Sequence, residues 1–171
     1  MSRSWDIFCR VVDNFGDAAV SWRLARQLAA EHGGRVRIWI DDLDPLHALC
    51  PAVAFDRAEQ QAEGVEICRW SAGAEFGVPA EIAVDAFGAG LPEAYLAAMA
   101  QRRPRSLWII LEYLSAEPWV GAHHEAPSPH PRLPLERYFF FPGLVTGTGG
   151  VLREASLEAR RDALQRDSQR Q

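Results

Sequence analysis

The sequence contains no lysine: all 18 of its Lys-plus-Arg positions are arginine. A phosphate-loop lysine, a Schiff-base lysine and a kinase-type lysine are thereby excluded, and several large enzyme classes go with them. Cysteine is scarce. Cys9, Cys50 and Cys68 are far apart with no C-x-x-C pair, which argues against a disulfide framework or a structural zinc and fits reduced thiols packed as small hydrophobes in a cytoplasmic protein. Neither G-x-G-x-x-G nor G-x-x-x-x-G-K-[ST] occurs, so the fingerprints of nucleotide-binding loops are absent. Long apolar runs are missing too: the stretch from Met1 to Asp17 is broken by Asp6, Arg10 and Asp13, unlike a signal peptide or a membrane span. A net charge of −5 and a pI near 5.5 give no basic footprint for nucleic acid or an anionic membrane.

What is present is a chain of 171 residues, 48% hydrophobic, enough for one compact core. Trp5 to Val12 is rich in β-branched and aromatic residues and runs into the turn cluster Asp13-Asn14-Phe15-Gly16-Asp17, followed by a helical pattern over Ala18 to His32. Gly33-Gly34 ends that helix, Arg35 to Ile40 reads as a second strand, and Asp44-Pro45 opens a helical turn. Further strands are predicted at Val65 to Trp70, Glu81 to Phe87, Ser106 to Leu111 and Tyr138 to Phe141, with a helix over Pro92 to Arg102. The alternation predicts an α/β domain with a parallel, Rossmann-like sheet and helices on both faces. His123 to Pro134, with four prolines and three histidines, reads as an irregular surface loop. Gly147-Thr148-Gly149-Gly150 reads as backbone punctuation or a hinge. Residues 151–171 form a charged helical pattern whose thin apolar stripe (Leu152, Ala155, Ala159, Ala163) buries little by itself, and the domain proper is expected to span 1–150.

In an open parallel sheet the site forms beyond the carboxyl ends of the strands. The residues there include Asp13 to Asp17, Asp41-Asp42, Phe87-Gly88, Glu112-Tyr113 and Pro142-Gly143. The first loop carries two aspartates and one glycine. Two carboxylates at a helix start would repel a pyrophosphate and attract a cation. Taken alone, Asp13 and Asp17 read equally well as a turn residue and a helix cap or first-turn acid. Phe15, Phe87 and Tyr113 are placed to line a pocket, with helix packing as the default for each. The loop histidines have no frame to hold a metal, so no metal site is expected.

The blocks Trp5-Asp6-Ile7-Phe8-Cys9, Val11-Val12-Asp13-Asn14-Phe15-Gly16-Asp17 and Trp22-Arg23-Leu24-Ala25 resemble those of the elongation factor P arginine rhamnosyltransferases, the EarP family. So do Leu111-Glu112-Tyr113-Leu114-Ser115-Ala116-Glu117 with Trp119, Phe140-Phe141-Pro142-Gly143, and Thr148-Gly149-Gly150-Val151-Leu152-Arg153-Glu154. The resemblance covers essentially the whole chain in order. It implies the N-terminal half of a GT-B glycosyltransferase that inverts configuration while moving rhamnose from dTDP-β-L-rhamnose to an arginine of elongation factor P. It further implies that this half serves the acceptor, that the donor binds mainly a C-terminal domain not contained in the 171 residues, that no cofactor is needed, and that the chain alone is inactive. The family's acidic pair falls on Asp13 and Asp17, with Asn14, Phe15, Gly16, Phe87, Glu112 and Tyr113 close by. Asp17 is given the proton-accepting role and Asp13 orientation, although the reverse or a shared role fits the sequence equally well. The chemistry suits the residues, since a guanidinium with a pKa above about 12 becomes a nucleophile only if a carboxylate polarises it and takes its proton. Two other readings stand beside this one: a stand-alone Rossmann-like nucleotide-binding module, and a protein-interaction unit whose acids merely cap helices. An uncovered apolar face would also allow self-association.

Overall fold

The computed structural model describes residues 3–13 and 15–168. In chain order the elements are β1 (Ser4–Cys9), α1 (Gly16–His32), β2 (Arg35–Ile40), α2 (Asp44–Leu49), β3 (Glu59–Ala62), β4 (Val65–Arg69), β5 (Ile82–Ala86), α3 (Glu93–Gln101), β6 (Leu107–Leu111), α4 (Val120–His123), β7 (Pro127–Pro129), β8 (Glu136–Phe140) and α5 (Leu157–Ser168). The strands form one sheet in the order β3-β4-β2-β1-β5-β6-β8-β7. Its six inner strands, β4 to β8 in that order, are parallel, and only the short margins β3 and β7 run antiparallel.

Adjacent residues on the strands send their side chains to opposite faces, so each apolar strand feeds two cores. Ile7, Ile38, Ile67 and Val84 meet Ala18, Trp22, Ala25 and Leu28 of α1 and Leu46 of α2 on one face. Their neighbours Phe8, Trp39, Cys68 and Ala83 meet Tyr95, Leu96 and Met99 of α3 on the other. The buried residues of α1 recur at three and four residue intervals, the spacing that makes one stripe on a helix. Gly33, at φ 60°, turns the chain out of α1, and the next amide, of Gly34, donates to the Leu28 carbonyl at 3.0 Å.

Three departures from the sequence expectations have local causes. The first strand ends at Cys9 rather than Val12, because Val11 donates its amide to the Asp41 carboxylate and leaves the ladder. The proline-rich loop contains the short strand β7, flanked by two bonds: the Ala126 carbonyl accepts the Phe139 amide of β8, and the His130 amide donates to the Leu135 carbonyl just before β8. Residues 151–154 have no regular structure and Ala155 lies in a turn, so the described part of the last helix begins only at Leu157. This strap is tied to α1 by side chains: Arg23 donates to both oxygens of Glu154 at 2.5 and 2.6 Å and to the Leu152 carbonyl at 3.0 Å. Gln27 donates to the Arg153 carbonyl, and Glu31 accepts from the Ala155 amide.

The glycine segment before the strap is structural. A Cβ on Gly149 would lie 2.2 Å from Cζ of Phe140, so only a residue without a side chain lets the backbone come this close to the outer end of that ring. Gly149 donates its amide to the Phe141 carbonyl at 2.9 Å.

At the amino end of the sheet, Asp6 is fully buried and accepts from Arg37 at 2.6 and 2.7 Å, from Tyr95 Oη at 2.5 Å and from the Ala80 amide at 3.0 Å. A carboxylate carried into the core is tolerated because both oxygens accept hydrogen bonds and the Arg37 guanidinium matches the charge.

Candidate active site

Asp17 stands in the first turn of α1 and is 1% exposed. Its carboxylate does not cap its own helix: the cap position is Phe15, which makes no side-chain capping bond. Instead Oδ2 accepts the amides of Val12 and Asp13, each at 3.0 Å, and pins the loop that precedes the helix. Oδ1 accepts from the Tyr113 hydroxyl at 3.0 Å. One oxygen is thus saturated by backbone, and the other is turned toward the residues that follow β6.

Asp13 is exposed, and its side chain lies over Gly16. A Cβ on Gly16 would stand 2.6 Å from Asp13 Oδ2, so a side chain there would displace the Asp13 carboxylate from this position. The Gly16 amide donates to the Asp13 carbonyl at 2.8 Å and closes the turn. Asn14 lies outside the described residues.

A largely apolar cleft of about 710 Å³ runs along one face of the sheet, between α1, strands β5, β6 and β8, and the strap, from Trp5, Leu28 and His32 up to the carboxyl ends of the strands. Asp13, Gly16, Asp17, Phe87, Glu112 and Tyr113 all line it, so residues from three separate strand ends are brought together. Phe15 is not among its lining residues and is 55% exposed; the turn that places Asp13 over Gly16 leaves the Phe15 ring on the outside.

The aromatic wall rests on an unusual backbone. Phe87 has φ 58°, a left-handed conformation uncommon for a residue with a side chain, and its ring stacks on Tyr113 with centroids 4.6 Å apart and planes 23° apart. The Phe87 amide donates to the Leu111 carbonyl at 2.8 Å, and that of Glu112 to Phe140, fixing both strand ends.

Three acids, Asp13, Asp17 and Glu112, and two arginines, Arg23 and Arg153, line the cleft. Burial raises the Glu112 carboxyl above its ordinary range, and the nearby charge of Asp85 raises it further. Asp85, buried at the end of β5, is itself raised by burial, opposed by the amide of Gly90 and the charge of Arg137. The Tyr113 phenol is also raised, by desolvation and then by its bond to Asp17, so it acts as a donor. Arg23 lines the cleft, but its charge is already matched by Glu154.

Other strand-end residues have structural partners. Asp41 holds the Val11 amide, and Asp42 accepts the Asp44 amide at the start of α2. His124 accepts the Phe141 amide, and His130 those of Arg132 and Leu133. Among the described residues no group of three or more His, Cys, Asp or Glu could hold a metal ion. None of the described helices is long and apolar enough to cross a membrane.

Sequence reasoning placed Tyr113 near the site but did not find its bond to Asp17, nor the Arg23–Glu154 clamp. Partners 96 and 131 residues apart leave no local pattern to read.

A doubly wound α/β domain with a carboxylate-lined cleft at the carboxyl ends of its strands belongs to the class whose sites sit at that edge of the sheet. The model of the family described as Elongation-Factor P (EF-P) rhamnosyltransferase EarP matches residues 5–171, and this chain belongs to that family. It is 50% identical over 169 residues to a protein-arginine rhamnosyltransferase of Pseudomonas putida, covering 99% of this chain and 45% of that protein. The protein of the same name from Pseudomonas aeruginosa is 48% identical over 162 residues, covering 95% and 43%. That of Neisseria meningitidis serogroup B is 38% identical over 151 residues, covering 86% and 38%. The chain therefore spans less than half the length of these relatives.

Proposed function

We propose that this chain is the acceptor-binding half of a protein-arginine rhamnosyltransferase of GT-B architecture, with elongation factor P as acceptor protein. The donor, dTDP-β-L-rhamnose, is held mainly by the part of the relatives' length that this chain does not span. The 1–150 domain binds the acceptor arginine, and 151–171 leads toward that second part. By itself the chain carries out no transfer.

The observation that carries this reading is the immobilised Asp17 carboxylate, with Oδ2 occupied by two amides and Oδ1 facing a cleft. Such a group is an oriented base that need not reorganise when a cation arrives. In the proposed reaction Asp13 and Asp17 hold the guanidinium and localise its electrons on the attacking nitrogen. That nitrogen forms a bond to the anomeric carbon from the side opposite the diphosphate. The carbon–oxygen bond to the diphosphate breaks, the electron pair leaves with dTDP, and the proton from nitrogen passes to Asp17 Oδ1. A single displacement of this kind inverts the anomeric centre, and the base itself needs no metal. Asp13 has the orienting role because its carboxylate is exposed and carries no comparable set of fixed donors.

A calorimetric titration of the chain with unmodified elongation factor P tests the reading, alongside acceptor whose target arginine is changed to alanine and chains carrying Asp13→Asn or Asp17→Asn. Saturable binding that weakens in all three variants supports it. Binding indifferent to them, or tight binding of dTDP by this chain alone, would point to an interaction unit or a nucleotide-binding module instead.

A further inference from the structure

We infer that Tyr113, backed by Phe87, selects arginine over other cationic side chains at this site; the inference rests on the acceptor-binding reading above. Three observations meet at one ring. Tyr113 gives one face to Phe87 at 4.6 Å, lines the cleft and is still 51% exposed, which leaves the opposite face to the cleft. Its hydroxyl donates to Asp17 Oδ1, so the exposed face adjoins the carboxylate that would receive an acceptor's N–H. Phe87 holds its place through a left-handed backbone, and the strain of that conformation is retained where the two rings stack.

A flat aromatic face ending in a carboxylate oxygen matches a planar cation that presents N–H groups along its edge. A guanidinium can lie against the ring while an edge N–H points at Asp17, combining a cation–π contact with a charge-assisted hydrogen bond. The ammonium of lysine can make the second contact but has no plane to stack, and it is more strongly hydrated. The charge of the two acids draws either cation, and the ring adds a contact that only the planar one can make. Asp17 and Asp13 supply charge, and Tyr113 supplies shape.

The hydroxyl and the ring are separable. Tyr113→Phe removes the donor to Asp17 and keeps the face, whereas Tyr113→Leu removes both. Phe87→Leu leaves Tyr113 in the chain and withdraws its support. The acceptor supplies the other axis of a double-mutant cycle: elongation factor P with its target arginine intact, or changed to lysine.

With the unaltered chain, the arginine acceptor should bind about 10-fold tighter than the lysine one, the ordinary size of a partly desolvated cation–π contact. Tyr113→Phe should keep that ratio, and Tyr113→Leu should reduce it to about 2-fold or less, with Phe87→Leu falling between. The ratio is the readout, because a merely structural role for Tyr113 would weaken both acceptors equally. If Tyr113→Leu does not fold, as judged by its melting curve, the Phe87→Leu ratio decides. An unchanged ratio in the folded variants, with binding still dependent on Asp17, would overturn the selection by Tyr113 and leave the acceptor-binding reading standing. Failure of the unaltered chain to bind either acceptor would overturn both.

Discussion

Tyr113, just past β6, donates its phenol to the carboxylate of Asp17 in the first turn of α1, 3.0 Å away in space and 96 residues away in sequence. The bond ties two strand ends across the mouth of the cleft. The loop before α1 depends on the same carboxylate, so Asp17 serves the fold as well as the proposed chemistry.

The two roles separate by substitution. Asp17→Asn keeps a side-chain oxygen for the Val12 and Asp13 amides, and should cost about 1 kcal/mol while weakening acceptor binding severely. Asp17→Ala leaves both amides and the Tyr113 hydroxyl without this partner, and should cost about 2–3 kcal/mol. Urea unfolding of the two variants measures the difference; equal losses would mean that the carboxylate does not pin the loop.

The Asp6 network at the opposite end of the sheet should be more costly to break. Asp6→Ala strands Arg37 and the buried Tyr95 hydroxyl, with an expected loss of about 3–5 kcal/mol. Tyr95→Phe removes one bond of the set and should cost about 1–2 kcal/mol. Neither should alter acceptor selectivity, because the network lies at the other end of the strands.

Acid should release the strap. Hydrogen bonding from Arg23 holds the Glu154 carboxyl down at about 2 against an ordinary 4.5, and Glu31, bonded to Gln27 and the Ala155 amide, is also lowered. For depressed acids the folded state binds fewer protons than the unfolded one, so their stabilisation is complete above pH 4.5 and drains away as pH falls toward 2. A carboxyl chemical-shift titration should place the Glu154 midpoint near 2. A midpoint near 4.5 would show the clamp to be open in solution.

Gly149→Ala should be destabilising by about 1–3 kcal/mol, since the new methyl meets the Phe140 ring. In a chain of this size that corresponds to a melting temperature lower by roughly 2–4 °C per kcal/mol. A variant melting like the parent would show that the strap can lift from Phe140 without loss.

Cys9 and Cys68 should resist thiol reagents in the folded chain. Burial pushes both thiols up to about 12, far from the thiolate range at neutral pH. Titration with a colourless disulfide reagent should detect almost no reaction of these two until denaturant is added.

The fold was legible wherever periodicity was local. Ile7-Phe8 and Ile38-Trp39 alternate between two buried faces, so their strands read as continuous apolar runs, and the stripe of α1 from Ala18 to Leu28 repeats at helical spacing. β3 carries Glu59, Gln60 and Gln61, and β7 two prolines, compositions that carry no strand signal of their own. Those margins follow from tertiary pairing. Residues 151–155 read as helix because their apolar positions suit one, but in the structure the Leu152 carbonyl and Glu154 are taken up by Arg23 and the segment is irregular. That Asp13, Gly16, Asp17, Phe87, Glu112 and Tyr113 would line one cleft was legible from the rule that strand ends gather at one edge. Phe15 was not, because that rule places backbones and says nothing of which way a ring turns.

The small strand β7 also limits how the molecule can assemble. The flanking Ala126 and His130 backbone groups bond inward, to Phe139 and Leu135, so the alternation of a strand turns the backbone of residues 127 and 129 outward, and both are proline. A proline has no amide hydrogen to offer, and this border of the sheet therefore lacks the donors that a ninth strand would need there. Growth of the sheet into fibres or strand-swapped pairs is discouraged along that side. Any edge-to-edge pairing is thereby confined to the opposite margin, β3, far across the sheet from β8 and the cleft.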